Sequence, residues 1–204
     1  MSITHAKPQP IRHVIRDVVS AIEPFDELEA LHKQEVLAWI DSDAPLFRVE
    51  KPDVPPKHLV AYFVLYDGVA DKLLLIDHIK AQAWLPTGGH VDLNEHPADT
   101  VAREAVEELG IQADFATPFG RDPLFITATV TKGYGLHTDV SLWYIVGGDS
   151  AKALACDSAE IKDHQWLSPA AILAMDSALL DPHLHRFIHK MQKGKGSNGQ
   201  QAST

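Results

Sequence analysis

Cysteine is nearly absent from this chain. Cys156 is the single example, so no intrachain disulfide can form, and a reducing, cytoplasmic setting is expected. Long apolar runs are missing as well. Nothing approaches the roughly 20 apolar residues of a membrane span, and the opening MSITHAKPQP has no apolar signal core. Basic residues are sparse: 18 Lys and Arg stand against 28 Asp and Glu, for a formal net charge of −10 and a pI near 5.6. Such a surface disfavours nonspecific binding to nucleic acid or to anionic membranes. It leaves room for a local basic pocket around a small phosphorylated ligand. The twelve histidines are scattered, with no HExxH and no Cys/His zinc spacing. No helix-turn-helix signature and no internal repeat is visible.

What is present is enough for one sizeable core and an appendage: 204 residues, 45% of them hydrophobic. Residues 1–10 read as disordered. Residues 11–42 carry helical patterns, with one apolar stripe at Ile15, Val18, Val19 and Ile22 and a second at Leu28, Leu31, Val36, Leu37 and Ile40. A linker rich in proline and charge follows, from Ser42 to Pro56. The period then changes. HLVAYFVLYD and KLLLIDHI read as strands joined at Gly68–Asp71. Ala83–Pro86 leads into Gly88 and Gly89. Later strand candidates are IQADFATP, PLFITATVT, HTDVSLWYIVGG and IKDHQWLS, and Pro169–Met175 and Pro182–Met191 read as helices. The expected division is a helical N-terminal extension over 1–50, a main domain over 51–192 and a disordered tail over 193–204. The extension's stripes need a surface, either this subunit's sheet or a partner's, so a homodimer is one of the two expectations. Mixed strands with a central helix and later helices imply an α/β/α sandwich.

The most informative segment is Gly89–Ile111, GHVDLNEHPADTVAREAVEELGI. Pro97 suits the first helical position, and Gly110 suits the left-handed residue that ends a helix. Ala98, Val101, Ala102, Ala105, Val106 and Leu109 follow the 3.6-residue period. The spacing puts Glu104, Glu107 and Glu108 on one turn beside Arg103. Like charges three and four apart repel by roughly 0.2–0.5 kcal/mol per pair. A solvated acidic face is the ordinary explanation for such a cluster. A hard divalent cation with oxygen ligands is the functional one.

The rest of the segment decides between them. It resembles the Nudix box, G-x5-E-x7-R-E-U-x-E-E-x-G-U, where U is bulky and aliphatic. Gly89, Glu95, Arg103, Glu104, Glu107, Glu108, Gly110 and Ile111 fall in register, and Ala105 at the first U position is the one departure. At background frequencies the chance of such a match in this chain is on the order of 10⁻⁶. The box covers 23 residues, and the likeness extends over residues 58 to about 180.

The resemblance implies an α/β Nudix fold with a mixed sheet. It also implies hydrolysis of a nucleoside diphosphate linked to another moiety, with Mg²⁺ as cofactor and Mn²⁺ as a substitute. By position, Glu104, Glu107 and Glu108 are its metal carboxylates, with Glu104 or Glu108 also handling the attacking water. Arg103 would orient a box glutamate, the Gly88 carbonyl is a further candidate metal ligand, and Glu95 is structural or an outer partner. Some enzymes of this kind use a carboxylate outside the box; Glu160 is the first candidate and Asp139 the second. Lys80 and Arg121 are candidates for phosphate, as is His90. Trp84, Phe125, Tyr134 and Trp143 are candidates for stacking on a base. For each of these the ordinary alternative is a surface charge, a capping carboxylate or a core aromatic. Two other readings stand beside the hydrolase. One is a non-catalytic ligand-sensing domain, against which the intact box argues. The other is an enzyme like isopentenyl diphosphate isomerase, whose chemistry needs a cysteine, whereas Cys156 lies well past the box. The box does not choose among nucleoside triphosphates, nucleotide sugars and dinucleotides.

Overall fold

The computed structural model describes residues 10–51, 53–131 and 136–199, with side chains as far as residue 194. Two helices open it, α1 (Ile11–Ala21) and α2 (Glu27–Asp41). Asp26 caps α2 by accepting from the Glu29 N–H at 2.8 Å. Arg12 ties α1 to the far end of α2, donating to the Ile40 and Ala44 carbonyls at 2.6 Å each.

The strands follow as β1 (Lys57–Asp67), β2 (Lys72–His78), β3 (Ala83–Leu85) and β4 (Thr87–His90). Helix α3 (Pro97–Leu109) comes next, then β5 (Phe125–Val130), β6 (Thr138–Gly147) and β7 (Ile161–Leu167), then α4 (Pro169–Leu173) and α5 (Leu184–Gly199). Among the described residues the seven strands form one mixed sheet, ordered β3-β2-β1-β6-β5, with β4 against β1 and β7 against β2. β1 runs parallel to β6 along its whole length, Lys57 facing Thr138 and Tyr66 facing Gly147.

Side chains alternate across β1 with period two, and this divides the core. Leu59, Ala61, Phe63 and Leu65 face a layer built from α1, α2 and α3. Val64, with Tyr62 and Tyr66 beside it, faces the layer of α4 and α5, where Trp143 and Phe187 pack. The molecule is the expected α/β/α sandwich with two N-terminal helices.

Several details differ from the sequence expectations. The α1 stripe, Ile15, Val19 and Ile22, is buried in the same core as β1 and α3, so it covers this subunit's own sheet rather than a partner's. In α2, Leu28 and Leu31 are exposed, while Glu29 is fully buried. The inward face of α2 lies along edge strand β5, where Glu29 accepts from the Ile126 N–H at 3.2 Å and from Lys190 at 2.7 Å. A polar partner for a free strand edge takes the place of leucine there. The Ser42–Pro56 linker is packed: Leu46 and Phe47 are buried, and the Leu59 N–H donates to the Leu46 carbonyl at 2.8 Å. IQADFATP forms no strand beyond a single bridge between Asp114 and Gly147. The Asp114 carboxylate accepts from the Ala116 N–H at 2.8 Å, and that local turn diverts the backbone from a ladder. Helix α5 continues to Gly199, well past Met191 and into the stretch expected to be disordered, with Lys193 lying over the Phe25 ring. Residues 1–9, Tyr134 and residues 200–204 lie outside the described residues.

Candidate active site

Strand β4 delivers the chain to the site, and α3 carries the carboxylates. The helix starts as its sequence dictates, with Pro97 in the first turn, and stops at Gly110 in the left-handed region, φ 66°. Ala98, Val101, Ala105 and Leu109 are completely buried. Ala105, the departure from the box, thus keeps its inward position. Val106 is half-exposed, outside the stripe that its spacing suggested.

With that face held down, Glu104 and Glu108 turn toward Gly88 and Gly89. Glu108 is 5% exposed and accepts from the Gly88 N–H at 3.0 Å. Burial, and then the charge of Glu104, push its carboxyl up to about 8. Burial also raises Glu104, against the pull of Arg103 at 2.6 Å. Glu107 is the outermost, more than half exposed and 3.4 Å from Arg103.

Arg103 organises the cluster. Its guanidinium makes two parallel bonds of 3.1 Å to Glu95 and donates to the His90 carbonyl at 3.1 Å and to Glu104. Glu95 is held in turn by Thr100 at 2.7 Å and by the Asp92 N–H at 3.0 Å. The paired geometry is the one arginine is suited to, and it raises the Arg103 pKa further, chiefly through Glu95.

The remaining candidates divide. Glu160 sits at the start of β7, paired with Lys80 at 2.6 Å, and its charge reaches both Glu104 and Glu108. Trp84, in β3, packs at the edge of the α5-side core. Phe125 and Trp143 are fully buried within that core. Arg121 pairs with Asp99 in the first turn of α3 and stacks on Phe115, about 14 Å of helix axis from Glu108. Asp139 pairs with His58 and His137, at 3.3 and 3.4 Å; the His137 ring stacks on His58, and the His90 ring lies tilted against it with centroids 4.8 Å apart. Local spacing gives no sign of this histidine group, because strand pairing assembles it. Asp157 was also missed: its N–H donates to the Glu108 carbonyl at 2.8 Å, and its charge adds to the rise at Glu108. Cys156 lies near Glu108, but burial and that carboxylate push its thiol up, away from the reactive thiolate.

A NUDIX domain profile matches residues 56–190, more than half of the chain. The chain belongs to the NUDIX family. Comparison with curated proteins returned no match. Among solved structures, a MutT NUDIX hydrolase from Burkholderia pseudomallei is 22% identical, covering 65% of this chain and 95% of its own, with a TM-score of 0.51. The E. coli ORF135 protein in solution is 19% identical, covering 69% of this chain and 92% of its own, also at 0.51. At these identities the likeness shows the shared fold. This NUDIX chain is an enzyme acting on phosphoanhydride bonds. Its family generally uses divalent metal ions and small nucleotide-derived substrates. Among the described residues no helix is long and apolar enough to cross a membrane.

The donor set fits a hard divalent cation. The buried Glu108 and the partly buried Glu104 converge with only one N–H and one guanidinium between them, and their own repulsion shows in the raised Glu108. Oxygen donors of this kind are what Mg²⁺ takes. The approach depends on glycine. A Cβ on Gly89 would overlap the Glu104 carboxylate, and one on Gly88, at φ 151°, would overlap the Ala61 carbonyl. Gly89→Ala should therefore displace Glu104 without opening the core. Hydrolysis is expected to fall by roughly ten- to a hundredfold, with the melting temperature within a few degrees of wild type. Unchanged kcat in a steady-state assay would mean that the position of Glu104 does not matter.

Proposed function

We propose that this chain is a metal-dependent pyrophosphohydrolase that cleaves a nucleoside diphosphate linked to another moiety, by water attack on phosphorus. The observation that carries the reading is the convergence of the partly buried Glu104 and the buried Glu108 at Gly88 and Gly89, with Arg103 locking the first in place. In this reading Glu104, Glu107, Glu108 and the Gly88 carbonyl hold Mg²⁺, with Mn²⁺ as a substitute. The bound cation would offset phosphate charge and acidify water.

The protein's own groups supply the rest. Arg103 fixes the Glu104 carboxylate through its paired bonds to Glu95, so the reacting geometry is set before substrate arrives. Glu108, buried beside a second carboxylate, has the raised basicity of a group that takes a proton from water. Lys80, paired with Glu160, keeps most of its side chain in solvent and is suited to meet phosphate. The single cysteine favours a cytoplasmic setting.

The test is a panel of nucleoside triphosphates, nucleotide sugars and dinucleotides, assayed for phosphate or pyrophosphate release with Mg²⁺, with Mn²⁺ and with a chelator. Release is expected with either metal at millimolar concentration and none with the chelator. Mg²⁺ should also raise the melting temperature through binding to the folded state, by less in Glu107→Gln. Hydrolysis that survives the chelator would sink the metal-dependent reading, and equal Mg²⁺ shifts would remove Glu107 from the metal's ligands.

A further inference from the structure

We propose that His58, His137 and Asp139 form a second metal site, specific for a divalent transition-metal ion of the Zn²⁺ type, with His90 packed beside it. The proposal is independent of any role for the α3 carboxylates.

The sheet builds the group. His58 on β1 and Asp139 on β6 are direct partners in the parallel ladder, so their side chains leave the same face. His90 on β4 pairs with Val60, two positions from His58 and on that face again. His137 immediately precedes β6. His58 is fully buried. Its Nδ1 lies 2.8 Å from the Pro55 carbonyl, and since a carbonyl only accepts, Nδ1 carries the proton. Nε2 faces Asp139 Oδ1 at 3.3 Å; burial works against charge on the ring, yet Asp139 and the Pro55 carbonyl raise its pKa overall, so this position calls for a cation, and in the neutral ring Nε2 is a bare lone pair. Neither atom has a hydrogen-bond partner, and neither does His90 Nε2. Two acceptors facing one another in a buried place repel, and unsatisfied groups there are costly. A cation between them removes both penalties.

The spacing selects the cation. Zinc bonds of about 2.0–2.2 Å to nitrogen and oxygen, at tetrahedral angles, put neighbouring donor atoms about 3.4 Å apart. His58 Nε2 and His137 Nε2 stand 3.3 and 3.4 Å from the same Asp139 oxygen. In each of the two combinations, His58 with His137 and Asp139 or with Asp53 and His90, the ligand atoms lie within 4.8 Å of one another. The outer ring nitrogens are placed as metal-bound histidines place them: His58 Nδ1 on a carbonyl, and His137 Nδ1 at 2.9 Å from the Thr131 hydroxyl and 3.3 Å from Asp53, the same hydroxyl lying 3.3 Å from Nε2. Imidazole donors favour Zn²⁺ and its neighbours over Mg²⁺. Arg48, 3.9 Å from Asp53, opposes a cation, but two carboxylates outweigh it.

The competing occupant is a proton on His58 Nε2, which would make a buried ion pair with Asp139. Metal-stripped full-length protein, dialysed against Zn²⁺ and analysed for bound metal, separates the two, with Co²⁺ absorption reporting the ligand geometry. With millimolar Mg²⁺ present to occupy the α3 carboxylates, one Zn²⁺ per chain is expected in wild type and in Glu108→Gln, with tetrahedral cobalt bands. Asp139→Asn and His137→Ala should abolish both, and Asp53→Asn should weaken binding about ten- to a hundredfold. His137 is the least buried of the three ligands, so His137→Ala keeps the test alive if changes at His58 unfold the protein; circular dichroism checks each variant. Folded wild type that binds no Zn²⁺ and shows a doubly protonated His58 ring by NMR overturns the proposal. So does binding that survives Asp139→Asn, or that disappears in Glu108→Gln.

Discussion

Glu108→Gln is expected to lower kcat by about 10²-fold or more and to leave the fold intact. The amide has the same shape, and its oxygen can still accept from the Gly88 N–H. What it loses is the charge that binds a cation and the basicity that takes a proton. The substitution should also change how stability depends on pH. In the metal-free protein the Glu108 carboxyl sits near 8, raised by burial and by Glu104, whereas an unfolded glutamate titrates near 4.3. Its contribution to stability is therefore fully present below about pH 4 and is lost as pH rises through about 8. Melting curves in chelator between about pH 5 and pH 9 should fall more steeply for wild type than for Glu108→Gln. Saturating Mg²⁺ should flatten the wild-type curve by supplying the missing positive charge. Wild-type turnover in the variant would take Glu108 out of the chemistry, and parallel pH curves would take away its buried charge.

The box helix was legible because everything that forms it is local. Pro97, Gly110, the apolar stripe and the three glutamates lie within four turns, and the structure keeps each in its expected place except Val106. The longer strands were legible for the same reason, but not β3 and β4, which are too short to show an alternation, nor the segment at Asp114, where a single side-chain turn overrides it. Contacts made by distant parts of the chain were not legible. Glu29 reads as an ordinary acidic residue in a surface helix, yet it is completely buried. Its partner Lys190 stands 161 positions away, and no local pattern connects them. The histidine group is hidden in the same way. His58, His90 and His137 look scattered until the parallel pairing of β1 with β6 sets His58 opposite Asp139. Absence of a recognisable zinc spacing excludes only sites assembled from neighbouring residues.

The N-terminal helices illustrate how far that long-range wiring reaches, and removing residues 1–41 should leave an unfolded or aggregating domain. Ile15, Val19, Ile22, Val36 and Ile40 are all 3% exposed or less. At about 1.5–3 kcal/mol for each buried side chain, their burial contributes roughly 8–15 kcal/mol. A whole domain has only about 5–15 kcal/mol of net stability. The truncation would also strip Asp26 from Arg186, 2.8 Å away, and Glu29 from Lys190 and from the Ile126 N–H. The milder variant isolates the polar part. Glu29→Ala leaves Lys190 charged and nearly buried, at a cost of about 3–5 kcal/mol, read as a lower urea midpoint. Glu29→Gln, which still accepts a hydrogen bond, should fall between Glu29→Ala and wild type. Light scattering on the same proteins bears on assembly: with the α1 stripe packed inside its own subunit, any dimer of wild type must use another surface. A soluble truncated domain that melts with wild type would show that the helices are a dispensable cover, and that the sheet holds its core without them.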